Sequence, residues 1–165
     1  MRTRHLYRNP GRSGSGHCKV EEPIRDLLTH SPEETIAFGR ELAAHLAPPC
    51  LVLLEGELGA GKTTLVKGIA AGLGVAREED VTSPTFTLVH EYGSGGTFYH
   101  VDLYRIEDPR EISTLGLDDA LASQSTVIVE WGERLGDNSP PAQFRIQMEC
   151  LENETRRIRV YRLHP

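Results

Sequence analysis

A single α/β domain, with a sheet of mixed parallel and antiparallel strands flanked by helices, is what this sequence predicts, on three observations. Four consecutive apolar residues, Leu51 to Leu54, run into G-x-x-x-x-G-K-T between Gly56 and Thr63, and an apolar helical pattern follows. Two further apolar stretches end in a carboxylate, Asp102 in Phe98-Tyr-His-Val-Asp-Leu-Tyr-Arg105 and Glu130 in Val127-Ile-Val-Glu-Trp-Gly-Glu133. The length of 165 residues suits one domain with a real core. Together these give a P-loop NTPase-like domain with the Gly-rich loop central.

Taken in order, residues 1–20 form a basic tail rich in Arg, Gly and Ser, with little that could pack, and are expected to be disordered. The domain occupies 21–165. Ser31-Pro32-Glu33-Glu34 is a helix start, with a cap, proline in the first turn and Glu three residues after the cap. Ile36, Leu42, Ala43 and Leu46 then recur at helical spacing to about Ala47, and Pro48-Pro49 ends the helix. Leu51–Glu55 is a buried strand. Lys62 to about Leu73 is the loop's helix, closed by Gly72 and Gly74. Thr82-Ser83-Pro84-Thr85 is a polar turn, and Phe86–Tyr92 and Thr97–Tyr104 read as a hairpin across Gly93 to Gly96. Asp108-Pro109-Arg110-Glu111 opens another helix, interrupted at Gly116 and continued by Leu117–Ala122. Thr126–Glu130 is a strand and Gly132 to Pro141 a loop. Phe144, Ile146, Met148 and Cys150 alternate with polar residues, and Ile158 and Val160 resume that pattern after the Glu152-Asn153-Glu154 turn, so the chain closes in a hairpin.

The net charge of −6 is uneven. The first twenty residues hold five basic residues and no acid, which leaves 13 basic against 24 acidic residues beyond them, a net of −11. Such an acidic body argues against a broad nucleic-acid surface and suits equally a basic protein partner or a merely solvated acidic surface. Cys18, Cys50 and Cys150 lie far apart without C-x-x-C, which excludes a disulfide framework and a zinc pattern and fits a reducing cytosol. The longest apolar run is far too short to span a bilayer, and the basic N-terminus lacks the apolar stretch of a secretory signal.

The Gly-rich loop dictates its chemistry. Gly59 and Gly61 let the backbone curl so that successive N–H groups converge on phosphate oxygens, and the following helix adds its unsatisfied amides and positive dipole end. Leu58, Gly59, Ala60, Gly61, Lys62, Thr63 and Thr64 are therefore nucleotide-binding candidates. Lys62 would reach the β- and γ-phosphates, and the Thr63 hydroxyl would ligate Mg²⁺. A phosphate loop also needs a carboxylate on the metal or its water, for which Asp102 and Glu130 both qualify; spacing does not divide the two tasks between them. Ser83 or Thr85 could sense the γ-phosphate, Trp131 could stack on a base, and one of Arg156, Arg157 and Arg159 could reach phosphate or a partner. A Pro-containing turn, a core tryptophan and a solvated edge are the plainer readings of the same residues. His100 and Asp102 share a strand face; a hydrogen-bonded pair or a chance one is the plainer reading beside a metal pair, for which no third ligand is evident. No N-K-x-D-like guanine selector follows the loop, so ATP is preferred to GTP.

Four stretches in order, Gly56 to Thr64, Ser83-Pro-Thr-Phe-Thr-Leu88, His100-Val-Asp-Leu-Tyr-Arg105 and Glu130-Trp-Gly-Glu133, resemble the TsaE family, bacterial ATPases of tRNA threonylcarbamoyladenosine biosynthesis. The likeness runs from about Ser31 to the end. It implies a small P-loop fold, ATP and Mg²⁺ as cofactors, and catalysis through Lys62, Asp102 and Glu130, with Thr63 and Glu130 at the metal. It adds Ser31, Trp131 and Arg157 to the nucleotide site. It implies a cytoplasmic protein that docks on a TsaB–TsaD complex, meets tRNA only through it, and assists threonylcarbamoyl transfer to the adenosine beside the anticodon. Two other readings share the loop: a small-molecule kinase, with Asp102 as base, and an ATP-sensing assembly module with little turnover.

Overall fold

Leu51 to Leu54 are apolar without alternation because their strand, β2 (Cys50–Gly56), is covered on both faces. Val52 and Leu54 join the core on one face, and Leu51 joins the core on the other. The computed structural model that establishes this describes residues 22–164, so the basic tail expected at 1–20 lies outside the described residues.

Seven strands form one sheet. They are β1 (Arg25–Thr29), β2, β3 (Val89–Tyr92), β4 (Phe98–Asp102), β5 (Thr126–Glu130), β6 (Phe144–Cys150) and β7 (Arg156–Arg162). Their spatial order is β1-β7-β6-β2-β5-β4-β3. β2 runs parallel to β5 and β6, and β4 parallel to β5. β3 and β7 attach antiparallel as hairpin partners of β4 and β6, and β1 adds antiparallel to β7 at the edge. The sheet is thus mixed, as the sequence predicts, with a parallel centre and antiparallel edges.

Two helices cover one face. In α1 (Pro32–Ala43), the Ser31 hydroxyl accepts from the Glu34 amide at 3.1 Å, and the Glu34 carboxylate reaches back to the His30 amide at 2.7 Å. In α2 (Lys62–Gly72), Leu65, Val66, Ile69 and Ala70 point into the same core as Phe38 and Leu42 of α1. The helices cross at glycine: a Cβ on Gly39 would lie 2.6 Å from the Leu65 carbonyl oxygen, and one on Gly68 would strike the Ile36 carbonyl. Two short helices, α3 (Pro109–Ile112) and α4 (Leu117–Ala122), cover the opposite face with Ile112, Leu117 and Ala120.

The structure moves several expected boundaries. α1 ends at Ala43 rather than near Ala47, where capping amides fold back on Glu41 and Leu42. The first strand of the predicted hairpin begins at Val89, not Phe86, because the Leu88 amide turns back to the Pro84 carbonyl. The loop expected after Glu130 contains a 3-10 segment, Gly132–Asn138, whose Leu135 packs into the core. β1 is an addition that the sequence did not announce.

Candidate functional site

The parallel centre carries the ends of β2, β4 and β5 to one edge, the position where α/β sheets bind ligands. Register makes Asp102 the direct neighbour of Glu130, and Glu130 the neighbour of Leu54 just before the Gly-rich loop. β5 therefore sits between the loop-bearing strand and the strand that ends in Asp102. A cleft of about 460 Å³ opens there, lined by Leu58, Gly59, Gly61, Lys62, Thr63, Thr64, Ser83, Thr85, Asp102, Tyr104, Glu130, Trp131 and Arg156. That volume suits a small-molecule ligand.

The loop curls as its composition demands. Gly59 has φ +81° and Gly61, which caps α2, has φ +95°. The Ala60 side chain is fully buried in the core beneath the loop, whereas Leu58 stands 73% exposed at its tip. Lys62 is folded back over the loop: its Nζ donates to the Gly56 carbonyl at 2.6 Å and to the Glu57 carbonyl at 2.9 Å, and lies 4.4 Å from the centre of the Trp131 ring. Burial holds the Lys62 ammonium below the usual lysine pKa, while the nearby carboxylates of Glu130, Glu133 and Asp102 pull it back up.

The two strand-end acids, which spacing left interchangeable, have different partners. Glu130 Oε1 accepts from the Thr63 hydroxyl at 2.8 Å and from His100 Nε2 at 2.8 Å. Asp102 Oδ2 accepts from the hydroxyls of Ser83 and Thr85, each at 3.0 Å, and its Oδ1 accepts from the Tyr104 amide at 2.8 Å. Glu130 is thus tied to the Gly-rich loop, and Asp102 to the Ser83–Thr85 turn. Both carboxylates are nearly fully buried. His100 shares a face with Asp102 but bonds to Glu130 across the strands, so it pairs with the other acid.

Trp131 adopts φ +60° and ψ +40°, a left-handed backbone that costs about 1 to 2 kcal/mol outside glycine. This turn lays the indole against Lys62 and Arg134, whose guanidinium is 5.5 Å from the ring, with Tyr104 5.2 Å away. Ser31 caps α1 and lines a smaller adjoining cavity of about 110 Å³ with Pro32, Thr35, Gly61, Thr64, Glu154 and Arg156.

Arg157 is not brought to either cavity. It forms a two-pronged pair with Asp26 of β1 at 2.7 and 2.9 Å. Its neighbour Arg156 lines both cavities and donates to the Cys150 thiol at 3.0 Å. Strand alternation separates the two: Arg156 shares a face with the buried Ile158 and Val160, the side of α1 and α2, while Arg157 shares its face with Arg159. That signal was present in the sequence.

Thr63 and Glu130 offer oxygen donors suited to a hard divalent cation such as Mg²⁺. Among the described residues, no group of three or more His, Cys, Asp or Glu could hold a metal by itself, so a cation here would complete its shell with phosphate and water.

A parallel sheet centre, a left-handed Gly loop on its middle strand and carboxylates at the two adjoining parallel strand ends define a P-loop-type fold. Within that class the chain belongs to the TsaE family. The family's sequence model, described as threonylcarbamoyl adenosine biosynthesis protein TsaE, matches residues 29–158. The tRNA threonylcarbamoyladenosine biosynthesis protein TsaE of Bacillus subtilis is 42% identical over 131 residues, 79% of this chain and 80% of that one. The protein of the same description from Aquifex aeolicus is 36% identical, across 86% of this chain and 98% of its own. A crystal structure of YdiB from Bacillus subtilis superposes with a TM-score of 0.68 at 34% identity, covering 85% of this chain and 86% of that one. The family places the chain in tRNA threonylcarbamoyladenosine biosynthesis.

Proposed function

We propose that this chain binds and hydrolyses ATP with Mg²⁺, and that its nucleotide cycle assists a TsaB–TsaD complex in threonylcarbamoyl transfer to tRNA. The observation that carries the reading is the Thr63–Glu130 hydrogen bond across the mouth of the Gly-rich loop, with Lys62 beside it. A hydroxyl can donate its proton to a carboxylate while its lone pairs face a cation. This lets Thr63 and Glu130 act together. Mg²⁺, when bound, would neutralise charge on the phosphate oxygens.

Each side chain has a task in this scheme. Amides of Leu58 to Thr64 wrap the phosphates. Lys62 exchanges the Gly56 and Glu57 carbonyls for β- and γ-phosphate oxygens. Trp131 covers the Lys62 ammonium and excludes water beside it. Arg156 supplies a cation from the far wall, in the place expected of Arg157, and Ser31 borders the same end. Asp102 holds the Ser83–Thr85 hydroxyls over the cleft, where they would meet a γ-phosphate or the attacking water. The preference for ATP rests on the absence of a guanine selector. No helix among the described residues is long and apolar enough to cross a membrane, and the reading puts the chain in the cytoplasm, where tRNA is modified.

Calorimetric titration with ADP and a non-hydrolysable ATP analogue, with and without Mg²⁺, tests the assignment. Micromolar or tighter binding that needs Lys62 is expected. Binding that survives Lys62→Ala unchanged would remove its basis.

A further inference from the structure

One buried polar side chain in the site is left without a task by this scheme. His100 is completely buried on β4, and its Nδ1 has no hydrogen-bond partner among the described residues. Its Nε2 lies 2.8 Å from Glu130 Oε1. A leucine or phenylalanine would fill the same slot without desolvating two ring nitrogens, so packing alone does not account for an imidazole.

The partner atom indicates what it does. A carboxylate offers only lone pairs, so the imidazole nitrogen facing it carries the proton and donates. Thr63 donates to that same oxygen, also at 2.8 Å. Both donors thus converge on Oε1, and Oε2 accepts no hydrogen bond among the described residues. We propose that His100 is a positioning residue for the metal-site acid: its Nε2–H fixes the Glu130 carboxylate so that Oε2 is presented to the cation or to its water. The strand geometry suits this. Asp102 and Glu130 are register partners, so His100, two residues before Asp102 on the same face, approaches Glu130 along the strand from the core side. A carboxylate with one oxygen doubly held has its rotation about the terminal bond removed before the cation arrives, so less ordering remains for binding to impose.

This inference rests on the Mg²⁺-nucleotide reading of the cleft, and the test separates the two. Mn²⁺ serves as a paramagnetic stand-in for Mg²⁺, and its binding to the protein–ADP complex is read by electron paramagnetic resonance. ADP affinity in EDTA is measured alongside, and a thermal melt confirms folding. The wild-type chain is expected to take up Mn²⁺ with ADP; failure to do so overturns the reading of the cleft itself. His100→Leu is expected to weaken Mn²⁺ binding about 10-fold or more while leaving metal-free ADP affinity within about two-fold. His100→Gln places an amide N–H at the same reach and is expected to recover most of the loss. In a Glu130→Ala background, His100→Leu should change Mn²⁺ binding no further. Equal Mn²⁺ affinity in His100→Leu and wild type overturns the proposal and leaves the nucleotide site standing. So does a loss that appears equally in EDTA, or one that glutamine fails to restore in a folded protein.

Discussion

Lys62 shows how function sets the local energetics of a single residue. The residue is 5% exposed, its ammonium is bonded to two backbone carbonyls of its own loop, and burial lowers its pKa. The charge is held in a place that disfavours it. Lys62→Met removes the charge and keeps the length, so the melting temperature of the nucleotide-free protein should stay level or rise. Nucleotide affinity should fall about 100-fold, the equivalent of one or two charged hydrogen bonds. Differential scanning fluorimetry and calorimetry read the two effects. A marked drop in melting temperature would mean that the carbonyl contacts outweigh the burial cost. The divided partners of the two acids give a second residue-level expectation. Asp102→Asn should leave Mg²⁺-nucleotide affinity within about three-fold and slow turnover by about 10² or more, because what it loosens is the Ser83–Thr85 turn. Glu130→Gln should lose the Mg²⁺-dependent part of the affinity. Indistinguishable profiles for the two variants would undo the division of roles.

Among the elements, the α1–α2 crossing fixes where the Gly-rich loop sits, since α2 begins within it. Glycine at Gly39 and Gly68 brings the backbones into contact. An exposed helical Gly→Ala change normally stabilises by about 0.5 to 1 kcal/mol. At Gly68 the new Cβ meets the Ile36 carbonyl, so the sign should reverse, with a loss of about 1 to 3 kcal/mol by urea denaturation. A more stable Gly68→Ala protein would show that the helices part easily. The sheet edge offers a pH test. The Arg157 guanidinium hydrogen-bonded to Asp26 holds that carboxyl below its ordinary value of 3.8. A depressed carboxylate pKa stabilises the fold fully above 3.8 and loses that contribution as pH falls through the lower, folded value. Melting temperatures of wild type and Asp26→Asn should therefore differ at pH 6 and converge as the pH falls below the folded value, itself under 3.8. A difference that persists in acid would rule out the ion pair as its source.

For the whole molecule, what could be read in advance followed from patterns that carry their own physics. The Gly-rich loop, the doubly covered β2 and the capped starts of α1 and α3 are local statements, and they fold as written. β1 was silent because an edge strand needs little apolar alternation: of Arg25 to Thr29 only Thr29 is buried, and the strand is held by backbone pairing to β7 and by the Asp26–Arg157 pair. Phe86 misled because an aromatic residue beside a strand resembles part of it, yet it stands 80% exposed with Arg105 stacked 4.0 Å from its ring. The side-chain partners of Glu130 and Asp102 lie 17 to 67 residues away in sequence, and only the sheet register assigns them. Arg156 and Arg157 could have been separated by the period-two pattern of β7, which turns Arg156 toward the loop. The thiols divide in the same way by environment. Burial pushes Cys50 up to about 11 and keeps it unreactive, while Cys150 is exposed and meets Arg156.

In the proposed function, nucleotide turnover in the cleft drives the family's tRNA modification. The direct measurement is threonylcarbamoyl transfer to tRNA in a reconstituted system containing TsaB and TsaD, with this chain added as wild type, as Lys62→Ala or omitted, and with ATP hydrolysis followed in parallel. Wild type is expected to sustain repeated rounds of modification with matching ATP hydrolysis, and Lys62→Ala to behave like omission. Full modification with the Lys62→Ala chain, or with no chain added, would contradict it.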